Sequence, residues 1–419
     1  MKDLGKPVNN KRDKIEKAVK EVLGDQQMPK IDFQNTEVAF AHKSDEELKK
    51  MAWLFGMMNK PWLVNVGSKL GLAAIKLRLP FAEGVLKQTI FQQFCGGTTL
   101  LETQKTIDKL HEFNTLTILD YGAEGKETED DFNQTMNETM RAIEFAAHNA
   151  PVPVVSTKGT GIARFELLEA IGKSNEAEFE HNEEYQNVLK RMDTICHVAS
   201  HRNVGVFFDA EESWIQDGID HFVNRMMARY NKTKVTVYNT FQLYRKDRLQ
   251  YLLNSYERAK SNGYLLGAKL VRGAYMEKER ARAAQIGYPS PIHDSKAATD
   301  HSYDAAVKFC VKHYETIASC NATHNLNSNL LQAQLIAEMG IDKNHSHLNF
   351  CQLYGMSDNL TFNLAKAGYN VAKYVPYGPV RDVVPYLIRR AQENTSVTGE
   401  VSREHELILG ELKRRSLKE

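Results

Sequence analysis

At 419 residues, with 54 Lys+Arg against 53 Asp+Glu and 42% hydrophobic residues, the chain is long enough for one large α/β domain with an accessory region. A net charge of +1 argues against a polyanion-binding surface spread over the molecule, so nucleic acid is not an expected partner. The cysteines, Cys95, Cys196, Cys310, Cys320 and Cys351, are odd in number and scattered, with no Cys-x-x-Cys; they indicate neither a disulfide framework nor a thiolate zinc site and fit a reducing compartment.

The opening stretch, Met1-Lys-Asp-Leu-Gly-Lys-Pro-Val-Asn-Asn-Lys-Arg-Asp13, lacks the apolar core of a secretory signal and carries acids that transit peptides avoid, so a cytoplasmic protein is expected. Residues 1–111 read as a helical arm, with helices over Asp13–Leu23, Ser44–Met58, Val64–Leu77, Phe81–Phe94 and Thr98–Asn114. Ser44-Asp-Glu-Glu47 is a capping-box signature. Met51 to Leu86 is the most apolar region, but Lys60-Pro61, Lys69, Lys76 and Arg78 interrupt it before the ~20 apolar residues that a membrane span requires. Its Trp53, Met57, Met58 and Trp62 either pack in an accessory helical layer or lie on a membrane surface.

From residue 115 the pattern becomes short β-rich runs, each followed by a helical segment. The runs are Leu116–Tyr121, Val152–Thr157, Val204–Asp209, Val235–Asn239, Leu265–Arg272, Ile317–Thr323, His347–Gln352 and Asn370–Val375. Between them lie helices over Asp130–Asn149, Tyr185–Arg202, Trp214–Tyr230, Asp247–Asn262, Ser302–Tyr314, Ser328–Met339 and Asp358–Ala367. Repeated βα units in this number over roughly 280 residues predict a closed α/β barrel, (β/α)8 or TIM. A doubly wound sheet competes, but Lys158-Gly-Thr-Gly161 is the nearest approach to a dinucleotide-binding glycine motif. The long segment Glu277 to His301, after the fifth run, is expected to be a mobile lid.

Barrel active sites lie at the C-terminal ends of the strands, and polar residues gather there. They are Asp120 with Glu124 beyond it, Lys158, Asp209-Ala-Glu-Glu212, Gln242 with Tyr244, Arg272-Gly-Ala-Tyr275, Thr323-His-Asn325, Gln352 with Tyr354, and Tyr374. Lys158 serves as an anion ligand or a solvated lysine. Glu211 and Glu212 are explained by the acidic start of a helix, which leaves Asp209 as the candidate. His324 is either a hydrogen-bonded loop residue or a functional one. His345-Ser-His347 has metal-like spacing but enters a strand at the opposite rim with no third ligand, so no metal site is expected. After the last run, a helix from about Val380 carries Tyr386-Leu-Ile-Arg-Arg-Ala-Gln-Glu393, whose spacing puts Tyr386, Arg389, Arg390 and Glu393 on one face. Two guanidiniums with one carboxylate in reach form a fork for a carboxylate or phosphate, unless they are solvated cations near a helix end.

Gly267-Ala-Lys-Leu-Val-Arg-Gly-Ala-Tyr-Met-Glu277, Lys296-Ala-Ala-Thr-Asp-His-Ser-Tyr303, Ala322-Thr-His-Asn325 and Tyr386-Leu-Ile-Arg-Arg-Ala-Gln-Glu-Asn394 together resemble the proline dehydrogenase family, including the corresponding domain of bifunctional proline-utilisation flavoproteins. The resemblance implies a distorted (β/α)8 barrel with FAD at its mouth and an extra helix after the eighth strand. The expected organisation is an arm over 1–111, the barrel over 112–396 and a C-terminal helical tail over 397–419. By the same resemblance, Lys158, Arg389 and Arg390 hold the proline carboxylate, Leu270, Ala274, Tyr275, Tyr374 and Tyr386 surround the ring, and Asp209 supports the site. Ala210, Gln242, Lys269, Arg272, Gly273, Ala274, Thr323 and His324 contact FAD, Lys269 standing where some bacterial members carry Arg, and Glu124 pairs with an arginine as a gate.

The implied reaction is oxidation of L-proline to 1-pyrroline-5-carboxylate by hydride transfer from C5 to flavin N5, the first step of proline catabolism, with electrons passed to a membrane quinone. Peripheral contact with the inner membrane would then run through Met51–Leu86, and a separate pyrroline-5-carboxylate dehydrogenase would take the product. Hydroxyproline is the rival substrate, although members that prefer it tend to carry a small residue where Tyr374 stands. A different class is a Schiff-base lyase using Lys158 or Lys269, with the arginine pair gripping a phosphate.

Overall fold

All the predicted β-runs form strands: β1 (Leu116–Tyr121), β2 (Val154–Lys158), β3 (Gly205–Asp209), β4 (Val237–Gln242), β5 (Leu266–Val271), β6 (Ile317–Ala322), β7 (Leu348–Leu353) and β8 (Val371–Tyr377). The computed structural model describes residues 31–60, 62–64, 67, 71, 82–122, 126–173, 178–179, 181–396 and 400–416. The strands run parallel in sequence order and close into a barrel where β1 pairs β8, from Leu116 opposite Ala372 to Tyr121 opposite Tyr377. β2 starts later than the apolar run suggests because Pro151 and Pro153 have no N–H for the ladder. β8 runs on through Pro376, whose carbonyl accepts the Gly96 N–H at 2.8 Å.

Strand alternation sorts the side chains into two layers. Ile118, Phe207, Tyr238, Cys320, Cys351 and Tyr374 form one cluster, inside the barrel. Their neighbours Leu119, Val206, Phe208, Val237, Phe350 and Val371 belong to the larger core against the helices. Strands apolar on both faces are what a parallel sheet covered by helices requires.

The arm contributes α1 (Asp45–Met58) and α2 (Leu100–Glu112). Ser44 and Glu47 form the expected reciprocal cap, Ser44 Oγ accepting from Glu47 N–H at 3.2 Å and Glu47 Oε2 from Ser44 N–H at 2.7 Å. Between α1 and α2 a helix covers Ala82–Leu86, takes a π turn at Lys87–Phe91 and ends over Gln92–Phe94. The expected helix Asp13–Leu23, and most of Val64–Leu77, lie outside the described residues. Around the barrel follow α3 (Glu129–Ala147), α4 (Phe165–Lys173), α5 (Glu183–Arg202), α6 (Ser213–Tyr230), α7 (Arg248–Ser261), α8 (Met276–Ile286), α9 (Lys296–Lys312), α10 (Leu326–Glu338) and α11 (Asp358–Lys366). After β8 come α12 (Val380–Ser396) and α13 (Glu400–Ser416).

Helix α4, nine residues long, is missing from the sequence expectation. Gly218 of α6 lets the two helices touch, since a Cβ there would lie 2.2 Å from the Leu168 carbonyl oxygen. The segment expected as a lid contains α8, and its following loop is stitched to the β4–α7 loop: Lys246 N–H donates to the Pro291 carbonyl and His293 N–H to the Tyr244 carbonyl, both at 2.8 Å. Main-chain pairing holds this loop against the barrel rim.

A second core caps the C-terminal end of the strands. Leu48, Met51 and Phe55 of α1 pack with Val383, Tyr386 and Leu387 of α12 and Ile408 of α13, each buried aliphatic side chain contributing about 1.5–3 kcal/mol. The last helix is thereby part of the cap, and Arg415 locks it to the arm through Asp45 Oδ1 at 2.6 Å and the Phe40 carbonyl at 2.9 Å. Among the described residues no helix is long and apolar enough to cross a membrane.

Candidate active site

Period-two geometry places inward residues near the C-terminal ends of five strands in one polar layer: Asp120 of β1, Ser156 and Lys158 of β2, Asp209 of β3, Lys269 of β5 and Tyr374 of β8. Asp209 is the hub. Its Oδ1 lies 2.5 Å from Lys269 Nζ and its Oδ2 accepts from the Tyr374 hydroxyl at 2.6 Å. Ser156 Oγ stands 3.3 Å from that same hydroxyl, and Lys158 Nζ lies 3.4 Å from Asp120 Oδ2. Burial by itself would raise the Asp209 carboxyl, but the positive charges of Lys269 and Lys158 outweigh it and hold it below its ordinary value. Burial, reinforced by the negative charges of Asp120 and Asp209, pushes the Tyr374 phenol well above its usual range. The layer therefore contains an ionised aspartate, a tyrosine fixed as donor and two lysines.

Leu270 does not join this layer. Next to Lys269 on β5, it falls on the opposite face and sits 1% exposed in the helix-facing core. The resemblance implies this side chain at the substrate ring, but the pleat of β5 turns it outside the barrel.

The loop after β5 brings Arg272, Gly273, Ala274 and Tyr275 to the rim. Gly273 has φ 141°, and a Cβ there would lie 2.4 Å from the Tyr244 ring. Arg272 is held on several sides: Nε donates to Asp300 Oδ1 at 2.8 Å, one terminal nitrogen to Thr323 Oγ1 at 2.6 Å and the other to Ser328 Oγ at 3.1 Å. His324 meets Ser357 Oγ through Nδ1 at 2.8 Å. Burial, with the positive charges of Lys373, Arg390 and Arg272, pushes His324 down to about 3, so its imidazole is neutral. Gln242 Nε2 donates to the Glu211 carbonyl at 2.7 Å, and Ala210 follows Asp209 at the end of β3.

Helix α12 delivers the arginine pair to this rim. The Arg389 guanidinium lies 6.0 Å from the Tyr275 ring centroid and that of Arg390 lies 5.4 Å from the Tyr386 ring. Arg390 is also near enough to His324 to bias its charge. Glu124 lies outside the described residues, as does the side chain of Glu393.

Glu211 and Glu212, expected as the acidic start of α6, tie loops together instead. The Glu211 carboxylate accepts the Thr160 N–H at 2.9 Å and its hydroxyl at 2.5 Å, while Glu212 pairs with Lys278 at 2.8 Å. His347 Nδ1 contacts the Tyr314 carbonyl at 2.7 Å.

A buried polar knot behind His324 escapes the sequence expectation. Lys373 Nζ, fully enclosed, lies 2.7 Å from Asp358 Oδ1, and His42 of the arm lies 3.3 Å from Asp358 Oδ2. Glu404 of α13 takes the Ser357 N–H at 3.0 and 3.1 Å. The available signal was a lysine in the middle of the apolar strand Val371-Ala-Lys-Tyr-Val375.

The rim offers fixed cations, a neutral imidazole, hydroxyl groups and the aromatic rings of Tyr275 and Tyr386. That donor set fits an anionic, planar cofactor beside a small carboxylate.

Fold and site together define a (β/α)8 barrel with a cluster of cationic side chains at the C-terminal end of its strands. The proline dehydrogenase family profile matches residues 103–403. Proline dehydrogenase 1, mitochondrial, of Drosophila melanogaster is 37% identical over 246 residues, 56% of this chain and 36% of that protein. Hydroxyproline dehydrogenase of Xenopus laevis is 31% identical over 413 residues, covering 90% of this chain and 88% of that protein. Carbapenem antibiotics biosynthesis protein CarD of Pectobacterium carotovorum subsp. carotovorum is 31% identical over 347 residues, 83% of this chain and 90% of that one. Proline utilization A from Bdellovibrio bacteriovorus, inactivated by N-propargylglycine, superposes with a TM-score of 0.72 at 20% identity, covering 88% of this chain and 42% of that one. This chain belongs to the proline dehydrogenase family. It spans little more than a third of the fly protein.

Proposed function

We propose that the protein oxidises L-proline to 1-pyrroline-5-carboxylate with FAD held at the barrel mouth. The observation that carries this is the placement of Arg389 against Tyr275 and of Arg390 against Tyr386 at the rim that also holds Lys269 and His324. Arg389, Arg390 and Lys158 grip the substrate carboxylate, and Ala274, Tyr275, Tyr374 and Tyr386 enclose the ring. Fixing the carboxylate turns a loose encounter into a near-attack geometry, worth up to several kcal/mol. Both oxygens of Asp209 are occupied, by Lys269 and by Tyr374, so its part is to hold those two side chains, and the substrate amine must arrive unprotonated. Ala210, Gln242, Lys269, Arg272, Gly273, Ala274, Thr323 and His324 would hold FAD, which when bound supplies the two-electron acceptor. Positive charge from Lys269 and Arg272 favours an anionic ligand there. Glu124 is the proposed gate.

We assign the onward acceptor to a membrane quinone, supported by the exposed Trp53, Met57 and Trp62 of the arm, and the product to a separate pyrroline-5-carboxylate dehydrogenase. Hydroxyproline is the second reading, supported by the name of the Xenopus relative. Tyr374, pinned by Asp209 and inside the barrel, leaves little room for a ring hydroxyl and favours proline. A Schiff-base lyase finds its Lys269 already ion-paired to Asp209. The visible spectrum before and after anaerobic L-proline tests the proposal: a yellow protein bleached by proline is expected. A colourless protein trapped by borohydride and substrate would overturn it.

A further inference from the structure

Outside the barrel, α13 sends one carboxylate into the loop between β7 and α11. Glu404 is 7% exposed and takes the backbone N–H of Ser357 with both oxygens, at 3.0 and 3.1 Å. Ser357 adopts φ 52° and ψ 42°, a left-handed conformation that disfavours residues with a Cβ. It also stands at the N-cap of α11, where its side chain makes no capping bond. Its hydroxyl turns the other way, to His324 Nδ1 at 2.8 Å. The usual cap of Ser is thus given up, and the helix end is satisfied by a carboxylate brought from a distant helix.

We infer that Glu404 is a positioning residue for the cofactor site: by holding the Ser357 backbone in its left-handed turn it aims the Ser357 hydroxyl at His324 and fixes the imidazole that faces the barrel mouth. This rests on the proposed role of His324 as an FAD contact. Among the described residues the Ser357 contact is the hydrogen bond made by His324, so the ring orientation depends on that hydroxyl. Second-layer partners of this kind set the tautomer and direction of a ligand imidazole. The neighbouring charges are already matched, Asp358 by Lys373 and His42, and Glu404 accepts from the backbone of Asp358 as well as that of Ser357.

The test measures FAD affinity of the full-length apoprotein by flavin fluorescence, and the visible spectrum of the reconstituted holoprotein, in wild type, Glu404→Ala, Glu404→Gln and Ser357→Gly. Gln retains one acceptor for the N–H, and Gly tolerates the left-handed turn while removing the CH2OH group whose hydroxyl meets His324. Expected is about a tenfold loss of FAD affinity in Glu404→Ala and Ser357→Gly, with a shifted flavin spectrum, and near-wild-type affinity in Glu404→Gln. Unchanged affinity and spectrum in Ser357→Gly would overturn the inference, even if Glu404→Ala fails to fold. Lower thermal stability in Glu404→Ala without any change in flavin affinity would do the same. A wild-type chain that binds no flavin would instead remove the proposed function, and this inference with it.

Discussion

Lys269 and Tyr374 sit on strands that are not neighbours, β5 and β8, yet Lys269 Nζ lies 4.5 Å from the centroid of the Tyr374 ring. Asp209 makes the approach stable by bonding both groups, at 2.5 and 2.6 Å. A buried ammonium over an aromatic face with a carboxylate beside it is stable only while all three are present.

Asp209→Asn should therefore be costly although it keeps the shape. It leaves the Lys269 charge, 7% exposed at the side chain, with no counterion, and removing one partner of a buried pair costs roughly 3–5 kcal/mol. The melting temperature should fall clearly and proline turnover should drop. Wild-type values for both would show that Asp209 is not the hub.

Arg390→Met should raise KM for proline by two or more orders of magnitude while FAD stays bound, because the guanidinium lies against Tyr386 on α12 rather than in the β5 loop. Steady-state kinetics on the yellow protein decides this. Normal proline saturation would contradict the carboxylate clamp.

Tyr374→Ser should shift substrate preference. The ring is inside the barrel and its hydroxyl is committed to Asp209, so truncation opens space beside the substrate and weakens the Asp209 triad together. The kcat/KM ratio of hydroxyproline to proline should rise by about tenfold as absolute proline turnover falls. An unchanged ratio would mean that the phenol does not face the ring.

The strands and the rim were legible because each rests on a local rule. Buried parallel strands are continuous apolar runs, and their last residues turn polar where the barrel opens, which is how Asp209 and Tyr374 could be picked out singly, whereas Lys269 came only through the family resemblance. Their mutual contacts were not legible, since β3, β5 and β8 meet only through closure of the barrel. Leu270 was misplaced because family resemblance carries a residue to a site without saying which face of its strand it occupies. No local pattern marks Glu404 or Asp358, and only the packing of α13 and α11 over Lys373 buries them. Glu211 looked like a helix-start acid for the same reason, its partner Thr160 lying on a different loop.

Glu404 also makes stability depend on pH in a way that one substitution isolates. Burial, with the negative charge of Asp358 adding and Lys373 opposing, lifts its carboxyl to about 7, against about 4.3 in an unfolded chain. Between those values the native state holds the proton that the unfolded state has lost. The contribution is full below pH about 4.3 and is lost as pH rises through 7. His324 works in the opposite sense, since burial and its cationic neighbours push it down to about 3 and its contribution grows as pH rises toward about 6.5. Asp358, held low by Lys373 and His42 against its burial, stays ionised across this window. These last two contributions are common to wild type and Glu404→Gln, so the difference between the two proteins reports Glu404 alone. Denaturant unfolding at intervals from pH 5 to pH 8 should show Glu404→Gln gaining on wild type as pH rises, by up to roughly 3 kcal/mol. A difference that stays flat with pH would place the Glu404 charge in water rather than against Ser357 and Asp358.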